Sequence, residues 1–354
     1  MKKIKLILTI SLVPLIIFIN SIETGNTFVD KYYSGYLYQY ISETVRLLTG
    51  WINLPLGDLL YLTLIIYLIY FIFFKTQKIK DIIIETGSIC FLLIFLFYFL
   101  WGFNYKRIAI IDHLELDGNF EKNQLEIFTE NLIKEINEKH VELFKNESTK
   151  PKNIYDFYES VSISKNNPSN LKKVLSLSVF DLDYKNISVK KSLFSLPLSY
   201  MGFSGYINPF TNEANINYKI PPNSLLFVIN HEIAHQIGFA TEKDANFISY
   251  LMLVNSDNEY LKFCGLSYAL RLCLSELSKI DEKKFKELIG LVNDGIIKDF
   301  AETSSFWEEY DGKIEDISKK SYDIYLKQNN IKSGIKNYNE SISLILNFKN
   351  EINE

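Results

Sequence analysis

Three long apolar segments in the first 103 residues constrain this chain more than any other feature. Each is rich in Leu and Ile and has few charges. A helix needs about 20 apolar residues to cross the hydrocarbon core of a bilayer, with about 17 as the lower limit. With short flanks, the segments therefore predict three transmembrane helices at about residues 4–22, 54–74 and 82–103.

The first segment has two interpretations. Lys2, Lys3 and Lys5 precede its apolar run, as in a cleaved signal peptide. Residues 20–24, however, contain no cleavage site with small residues at alternate positions. We therefore favour an uncleaved anchor, so that residues 1–107 form a membrane anchor with three spans.

The basic residues predict an orientation. The lysines before the first segment and those at positions 75–80, between the second and third, belong on the cytoplasmic side by the positive-inside rule. Three spans then place residues 108–354 outside the cytoplasm, as one extracytoplasmic domain of a multi-pass cell-membrane protein. Lys106 and Arg107, just after the third segment, weigh against this orientation.

Net charge argues against one class of protein, whereas the cysteines give no guidance on function. A formal net charge of -4 implies no broad basic face, which argues against nucleic-acid binding. Cys90 lies in the third apolar segment. Cys264 and Cys273 are too far apart along one straight helix to form a disulfide, so we expect them in the core.

The pattern after residue 107 predicts an α+β domain that is mainly helical with a small sheet. Residues 123–144 have helical spacing, and residues 146–191 are expected to form loops and small strands. Residues 205–218 predict a hairpin that turns at residues 208–212. Residues 246–354 are expected to be mainly helical.

The stretch that carries chemistry is residues 228–247, VINHEIAHQIGFATEKDANF. On a helix, His231 and His235 project from the same face and can bind one cation. Two imidazoles and a carboxylate suit Zn²⁺, with an open fourth position for water. Glu232 points to the side, where it could take a proton from that water. No lysine or proline interrupts the motif, which indicates a buried helix.

The third metal ligand must come from outside the motif. Gly238 predicts the end of the first helix. The spacing of metzincins would put the third ligand at Thr241, which cannot replace a histidine well. Thr241 instead predicts the N-cap of a new helix. Glu242, its first residue, is the predicted third ligand, and Asp244 is the alternative.

Residues 242–246, EKDAN, resemble a known ligand element. Membrane-anchored gluzincins of the prenyl-protein and heat-shock type supply their ligand glutamate from a Glu-x-x-Ala-Asp element. Asn246 stands where those proteins have Asp, and the segment between this element and the histidines is much shorter here. The resemblance implies that Glu242 is a ligand.

A broader resemblance runs from the anchor to the C-terminus. It rests on the motif stretch, on LWGFNYKR at 100–107, on GYINPFTNEA at 205–214 and on YDIYLK at 322–327 with Gly334 and Tyr338. Together they resemble a bacterial membrane family catalogued as domain-of-unknown-function family 3810. This resemblance implies three spans and a zincin-like domain, and it implies no substrate.

The hairpin is a candidate substrate-binding element. Zincins pair an edge strand with an extended peptide above the metal. The candidates here are Glu213, Ala214 and Asn215 on the second strand and Tyr206 on the first. Glu213 could also bind a free amino group of a substrate, and the alternative is an ordinary half-buried strand.

Further polar residues have weaker assignments. His113 and His140 are expected on the surface. Several side chains could stabilise an oxyanion; they are Tyr206, Tyr218, Tyr268, Tyr322 and Arg271.

These residues predict a membrane-anchored zinc metallopeptidase that cleaves a peptide or protein substrate outside the cytoplasm. The alternative is an inactive zincin-like protein that binds metal as a sensor or scaffold. An intramembrane protease is disfavoured because the motif is far in sequence from the last apolar segment and its surroundings are polar. The bilayer is the other expected partner, and no oligomeric state is indicated.

Overall fold

Three apolar helices open the chain in the computed structural model, which describes residues 2–74, 78–175, 184–329 and 341–353. They are α1 (Lys2–Ser21), α3 (Leu56–Phe74) and α4 (Ile79–Leu100). Each is long and apolar enough to cross a membrane. The chain is therefore a membrane protein, and the helix ends lie within three residues of those predicted. Lys75, Gly334 and Tyr338 lie outside the described residues.

Helices α1 and α4 run in the same direction. Lys2 pairs with Asp81, and the Lys5 Nζ atom lies 2.5 Å from Glu85 Oε2. Both contacts join the first turns of the two helices. The ion pair also accounts for a carboxylate near the start of the third apolar helix, since a charge at this depth needs a partner.

Residues 29–49 and 101–107 flank the apolar helices in the chain and contact the domain that follows; we call them the juxtamembrane shell. Its helical parts are a π-helical segment (Val29–Leu37), α2 (Tyr38–Thr49) and a 3₁₀ turn (Gly102–Lys106). Tyr38 and Trp101 are buried in one apolar cluster with residues from much later in the chain. The shell is thus packed against the domain that follows it.

The sheet has three strands in the order β1 (Val189–Lys191), β3 (Glu213–Ile216), β2 (Gly205–Asn208). β2 and β3 form the predicted antiparallel hairpin, and β1 lies parallel to β3. The second hairpin strand is therefore central rather than an edge, so the expected edge role of β3 is wrong. β2 is the edge strand on that side of the sheet.

The remaining elements are helices, as the α+β prediction requires. They are α5 (Ile110–His113), α6 (Lys122–Phe144), α7 (Phe157–Ser164), α8 (Asn167–Val174), α9 (Ser195–Met201), α10 (Leu225–Ile237), α11 (Glu242–Val254), α12 (Glu259–Ile280), α13 (Glu282–Ile289), α14 (Asp294–Tyr310), α15 (Lys313–Gln328) and α16 (Ser341–Asn353). Helix α10 lies at the centre, between the sheet on one side and α7 and α11 on others.

Residues 146–191 differ from the prediction of loops and small strands, because they contain α7 and α8. Asp156 caps α7 and forms a capping box with Glu159. A proline in the first turn begins α8. The segment is rich in Asn, Ser and Lys, which are typical of loops, so these helix starts were not predicted.

Both histidines expected on the surface are held by partners. His140 is fully buried, with its Nε2 atom 2.8 Å from the Thr149 carbonyl oxygen. His113 is partly buried, with its Nε2 atom 3.2 Å from Asp30 Oδ2. A buried imidazole is tolerated when its ring nitrogens are paired, which sequence spacing does not reveal. Cys264 and Cys273 are buried free thiols, as expected.

Candidate metal centre

Helix α10 positions both histidines of the motif. It ends at Ile237, where Gly238 has a φ of 107°, a left-handed conformation that favours glycine. The turn brings the Phe239 carbonyl oxygen within 2.7 Å of His235 Nδ1, which donates to it. This hydrogen bond orients the ring and leaves His235 Nε2 as the atom available to a metal.

Helix α11 supplies the carboxylate. Thr241 is its N-cap and accepts a hydrogen bond from the Asp244 backbone N–H, as predicted. Glu242, the first helical residue, points back at the histidines. Its Oε2 lies 3.1 Å from His231 Nε2, and its Oε1 lies 3.8 Å from His235 Nε2.

The geometry of His231, His235 and Glu242 fits a metal ion. One ligand atom from each lies within 4.8 Å of the others, and all three side chains are buried. Metal–nitrogen bonds of about 2.0–2.1 Å in a tetrahedral site separate ligand atoms by about 3.3 Å, close to the distances found. The group can therefore hold a metal ion.

Asp244 lies apart from this group. Burial raises its pKa, and the opposing effects of Lys243, Thr241, Arg107 and the backbone at Ile110 are smaller. The structure thus brings Glu242, and not Asp244, beside the histidines.

The three side chains interact strongly. Burial acts to lower the pKa of His231, but the Glu242 carboxylate overcomes this effect and raises it. Burial acts to raise the pKa of Glu242, but His231, His235 and a hydrogen bond from Tyr322 lower it. The Tyr322 hydroxyl donates to Glu242 Oε1 at 2.5 Å. Burial lowers the pKa of His235 to about 4, which favours the neutral imidazole that metals bind.

Glu232 lies next to the ligands without belonging to them. It is 3% exposed, and burial raises its pKa to about 8. Its Oε2 atom has no hydrogen-bond partner among the described residues. Strand β2 packs directly on this carboxylate: a Cβ atom added at Gly205 would lie 2.7 Å from Glu232 Oε1. A larger residue at position 205 would therefore have to displace the Glu232 carboxylate.

One large cavity of about 1650 Å³ is lined by all four of these side chains, which are His231, Glu232, His235 and Glu242. Its walls come from the edge strand β2, from helix α15 and from the two membrane helices α3 and α4. The residues that line these walls include Gly205, Tyr206, Ile207, Tyr322, Tyr61, Leu64, Ile65 and Phe97. The sequence did not show that α3 and α4 line the cavity. Their apolar residues could equally well face lipid, and hydropathy does not distinguish the two positions.

The hairpin residues have other roles than those expected. Glu213 Oε2 accepts hydrogen bonds from the Gly57 backbone N–H at 2.8 Å and from Thr211 Oγ1 at 3.0 Å, so it caps α3. Ala214 and Asn215 are fully buried in the central strand. None of these three lines the cavity. Tyr206 does line it.

The oxyanion candidates are distributed over several places. The Tyr206 hydroxyl donates to the Asp58 carboxylate, and the Tyr322 hydroxyl donates to Glu242. Tyr268 and Arg271 line a smaller cavity of about 220 Å³ that also touches His231. Tyr218 is half exposed and lines neither cavity.

The juxtamembrane shell holds the end of α10 that carries His235. Four consecutive carbonyl oxygens, at residues 235–238, accept hydrogen bonds from side chains of the shell. The donors are Trp101 Nε1 at 3.2 Å, Tyr38 Oη at 2.8 Å, Gln39 Nε2 at 3.2 Å and Arg107 Nη1 at 3.1 Å. These are the last carbonyls of a helix and need such partners when buried. No pattern in the sequence predicted these hydrogen bonds between the shell and the end of α10.

Arg107 and Lys106 were counted above against the predicted orientation. Arg107 is buried, with Asp30 Oδ1 3.4 Å from its Nε atom. Lys106 is fully buried as well. Both side chains therefore lie inside the protein rather than at its surface.

A family model described as "Protein of unknown function (DUF3810)" matches residues 33–346. The chain belongs to the DUF3810 family. The match runs from the juxtamembrane shell into α16, so it includes the candidate metal centre and the residues of the cavity. No curated protein and no solved structure matches the chain. Family membership agrees with the resemblance seen in the sequence, and the family's description names no activity.

Proposed function

We propose that this DUF3810 protein is a zinc-dependent metallopeptidase that hydrolyses peptide bonds at the membrane surface. One observation carries the proposal: the Glu232 carboxylate lies in the same cavity as the group of His231, His235 and Glu242, but is not part of that group. A site that only stored a metal would need no acid beside it.

The metal that suits these residues best is zinc. Two neutral imidazoles and one carboxylate are a frequent ligand set of catalytic zinc sites, and they leave one position open. His231, His235 and Glu242 would hold the ion. When bound, zinc supplies Lewis-acid activation of a water molecule and of the scissile carbonyl group.

Glu232 supplies the proton transfers of the reaction. In its ionised form, the Glu232 carboxylate would take a proton from the attacking water, whose hydroxyl adds to the carbonyl carbon. The same carboxyl group then gives that proton to the leaving amine as the C–N bond breaks, so water is consumed and one acid and one amine are formed. The unpartnered Oε2 atom is the free position for this proton.

Strand β2 is the element that would bind the substrate backbone. It lies at the edge of the sheet, and Gly205, Tyr206 and Ile207 line the cavity. An extended peptide can add to such an edge by main-chain hydrogen bonds. Gly205 then sets the distance between the bound peptide and Glu232.

The site would lie outside the cytoplasm. The parallel course of α1 and α4 means that both helices cross in the same direction, and the lysines precede each of them.

An impermeant thiol reagent tests this orientation in intact cells. It should label Ile317→Cys, whose native side chain is 65% exposed, and labelling only after lysis would reverse the orientation.

The decisive experiment uses the full chain with Glu232→Gln. We expect the variant to keep one metal ion per chain, by elemental analysis, and to lose cleavage of a peptide library by about 10²-fold or more. Unchanged cleavage would reject the role of Glu232. If the wild type cleaves nothing and Glu232→Gln keeps full biological effect, the chain is a metal-binding sensor or scaffold.

A matched pair of variants tests the ligand set. Glu242→Gln should lose the metal, whereas Asp244→Asn should retain it, because only Glu242 lies beside the histidines. Both substitutions neutralise one buried acid at the start of α11. Retention of metal by Glu242→Gln would remove Glu242 from the site.

A further inference from the structure

The large cavity extends from the metal centre onto two membrane helices. Tyr61, Leu64 and Ile65 of α3 and Phe97 of α4 form part of its wall. These residues belong to the segments that are apolar enough to cross a membrane. The cavity that contains the candidate metal centre is therefore walled in part by apolar residues of the membrane helices.

The cavity wall extends along α3 from the N-terminal end of that helix into its apolar part. Asp58 is the last charged residue before the apolar run. At 1.5 Å per residue, Ile65 lies about 10 Å further along the helix, a substantial part of a hydrocarbon core about 30 Å thick. Ile65 lines the cavity and is nevertheless 49% exposed, so the cavity is open beside it.

Helix α3 is held in this position by the domain. The Asp58 carboxylate accepts hydrogen bonds from Ser192 Oγ at 3.0 Å and from the Leu193 backbone N–H at 2.6 Å. The Tyr61 ring stacks near Tyr206, with 6.2 Å between ring centroids. The apolar wall is therefore fixed relative to the edge strand and the metal centre.

We propose that the substrate is a polypeptide held in the same bilayer by its own transmembrane segment, and that it is cut next to the membrane surface. This inference rests on the proposed peptidase activity. An extended stretch on β2 would place the bond at Glu232, while the adjoining apolar residues leave the cavity beside Ile65 and enter the lipid. A substrate dissolved in water would meet an apolar wall at bilayer depth.

The test uses the full chain in vesicles of phosphatidylethanolamine and phosphatidylglycerol. A peptide that the library experiment selects is presented directly next to a single transmembrane helix, or on the same helix behind a long flexible linker, or in solution. The linker form controls for concentration at the membrane. We expect the adjacent form to be cut at least about tenfold faster than the linker form.

Variants of α3 test the wall itself. Ile65→Ser should slow cleavage of the adjacent form several-fold, whereas Ile66→Ser should not, because Ile66 is 58% exposed and does not line the cavity. Equal rates for the adjacent and linker forms, or equal effects of the two variants, would overturn the inference. Preference for a peptide anchored by an acyl chain would also overturn it, in favour of a lipidated substrate.

A binding measurement separates this inference from catalysis. In a Glu232→Gln, Cys90→Ser background, Ile65→Cys should form a disulfide with a cysteine at the membrane boundary of the adjacent substrate, and Ile66→Cys should form far less. Cleavage of the soluble peptide with no preference for the adjacent form rejects the inference alone. Absence of cleavage of all three forms rejects the peptidase proposal, and this inference with it.

Discussion

The two sides of helix α10 are stabilised in different ways. On the membrane side, the juxtamembrane shell donates hydrogen bonds to the carbonyls of residues 235–238. On the other side, α11 and α12 pack against α10. Ile229 and Ile233 of α10 and Phe247 of α11 are buried there in one apolar core. Hydrogen bonds fix direction and distance, while apolar burial is non-directional. The shell thus sets where His235 lies, and the apolar side provides most of the stability.

The largest expected effect comes from removing the shell. A chain that begins at residue 108 should fail to hold one metal ion per chain. The buried carbonyls of Ile237 and Gly238 would lose their shell donors, at about 1–3 kcal/mol for each group left unpaired, against a typical total stability of about 5–15 kcal/mol. The carbonyls of His235 and Gln236 would keep hydrogen bonds from the Gly238 backbone N–H and the Tyr184 hydroxyl. Elemental analysis and circular dichroism beside the full chain measure this. A folded, metal-loaded fragment would show that the shell is dispensable.

The apolar side is tested by Phe247→Ala. Phe247 is fully buried in the core, and such a truncation costs about 3–5 kcal/mol. We expect a lower thermal midpoint, with unchanged metal affinity in the protein that remains folded. The exposed Ile317→Ala is the control and should shift stability by about 0.5 kcal/mol or less. Loss of metal affinity in folded Phe247→Ala would remove the distinction between the two sides.

Within the shell, Asp30→Asn should cost roughly 1–3 kcal/mol. Burial acts to raise the pKa of Asp30, but His113 and Arg107 overcome it and lower the pKa below 3.8. A lowered folded pKa stabilises the protein above the unfolded pKa, and this stability is lost as the pH falls through the folded value. The free energy of unfolding, measured by chemical denaturation from pH 7 to pH 3, should fall with pH in the wild type. It should depend less on pH in the variant.

The smallest effect is expected for Tyr38→Phe, which removes the hydrogen bond to the Gln236 carbonyl and the one accepted from Asn212 Nδ2. The Tyr184 hydroxyl still donates to the same carbonyl. Stability should fall by about 0.5–1.5 kcal/mol. If the shell sets the position of His235, metal affinity should also fall, by up to roughly tenfold. Titration with a competing chelator measures this. An affinity equal to that of the wild type would mean that apolar packing alone positions the helix end.

Local patterns predicted most of the metal centre. The four-residue spacing of His231 and His235, the stop at Gly238 and the N-cap at Thr241 are all encoded within a few residues. They led to Glu242, which the structure brings beside the histidines. Each of these features depends on helix geometry and capping, which are properties of neighbouring residues.

The substrate side of the site could not be predicted in the same way. Glu213 was expected near a substrate and instead caps α3, because β3 is the central strand. Strand order depends on which segments pair across long sequence separations, and alternation within one strand does not specify it. The same holds for Trp101 and Tyr38, whose partners lie more than 130 residues away in the chain.

The sequence by itself determined three membrane helices, an α+β domain and a group of two histidines and a glutamate that can hold a metal ion. Only the tertiary structure decided that this group lies beside the membrane helices, with its cavity walled by α3 and α4 and its helix end held by the shell. The physical reason is that hydropathy and capping act between near neighbours, whereas a cavity is formed by surfaces that meet only after the chain has folded.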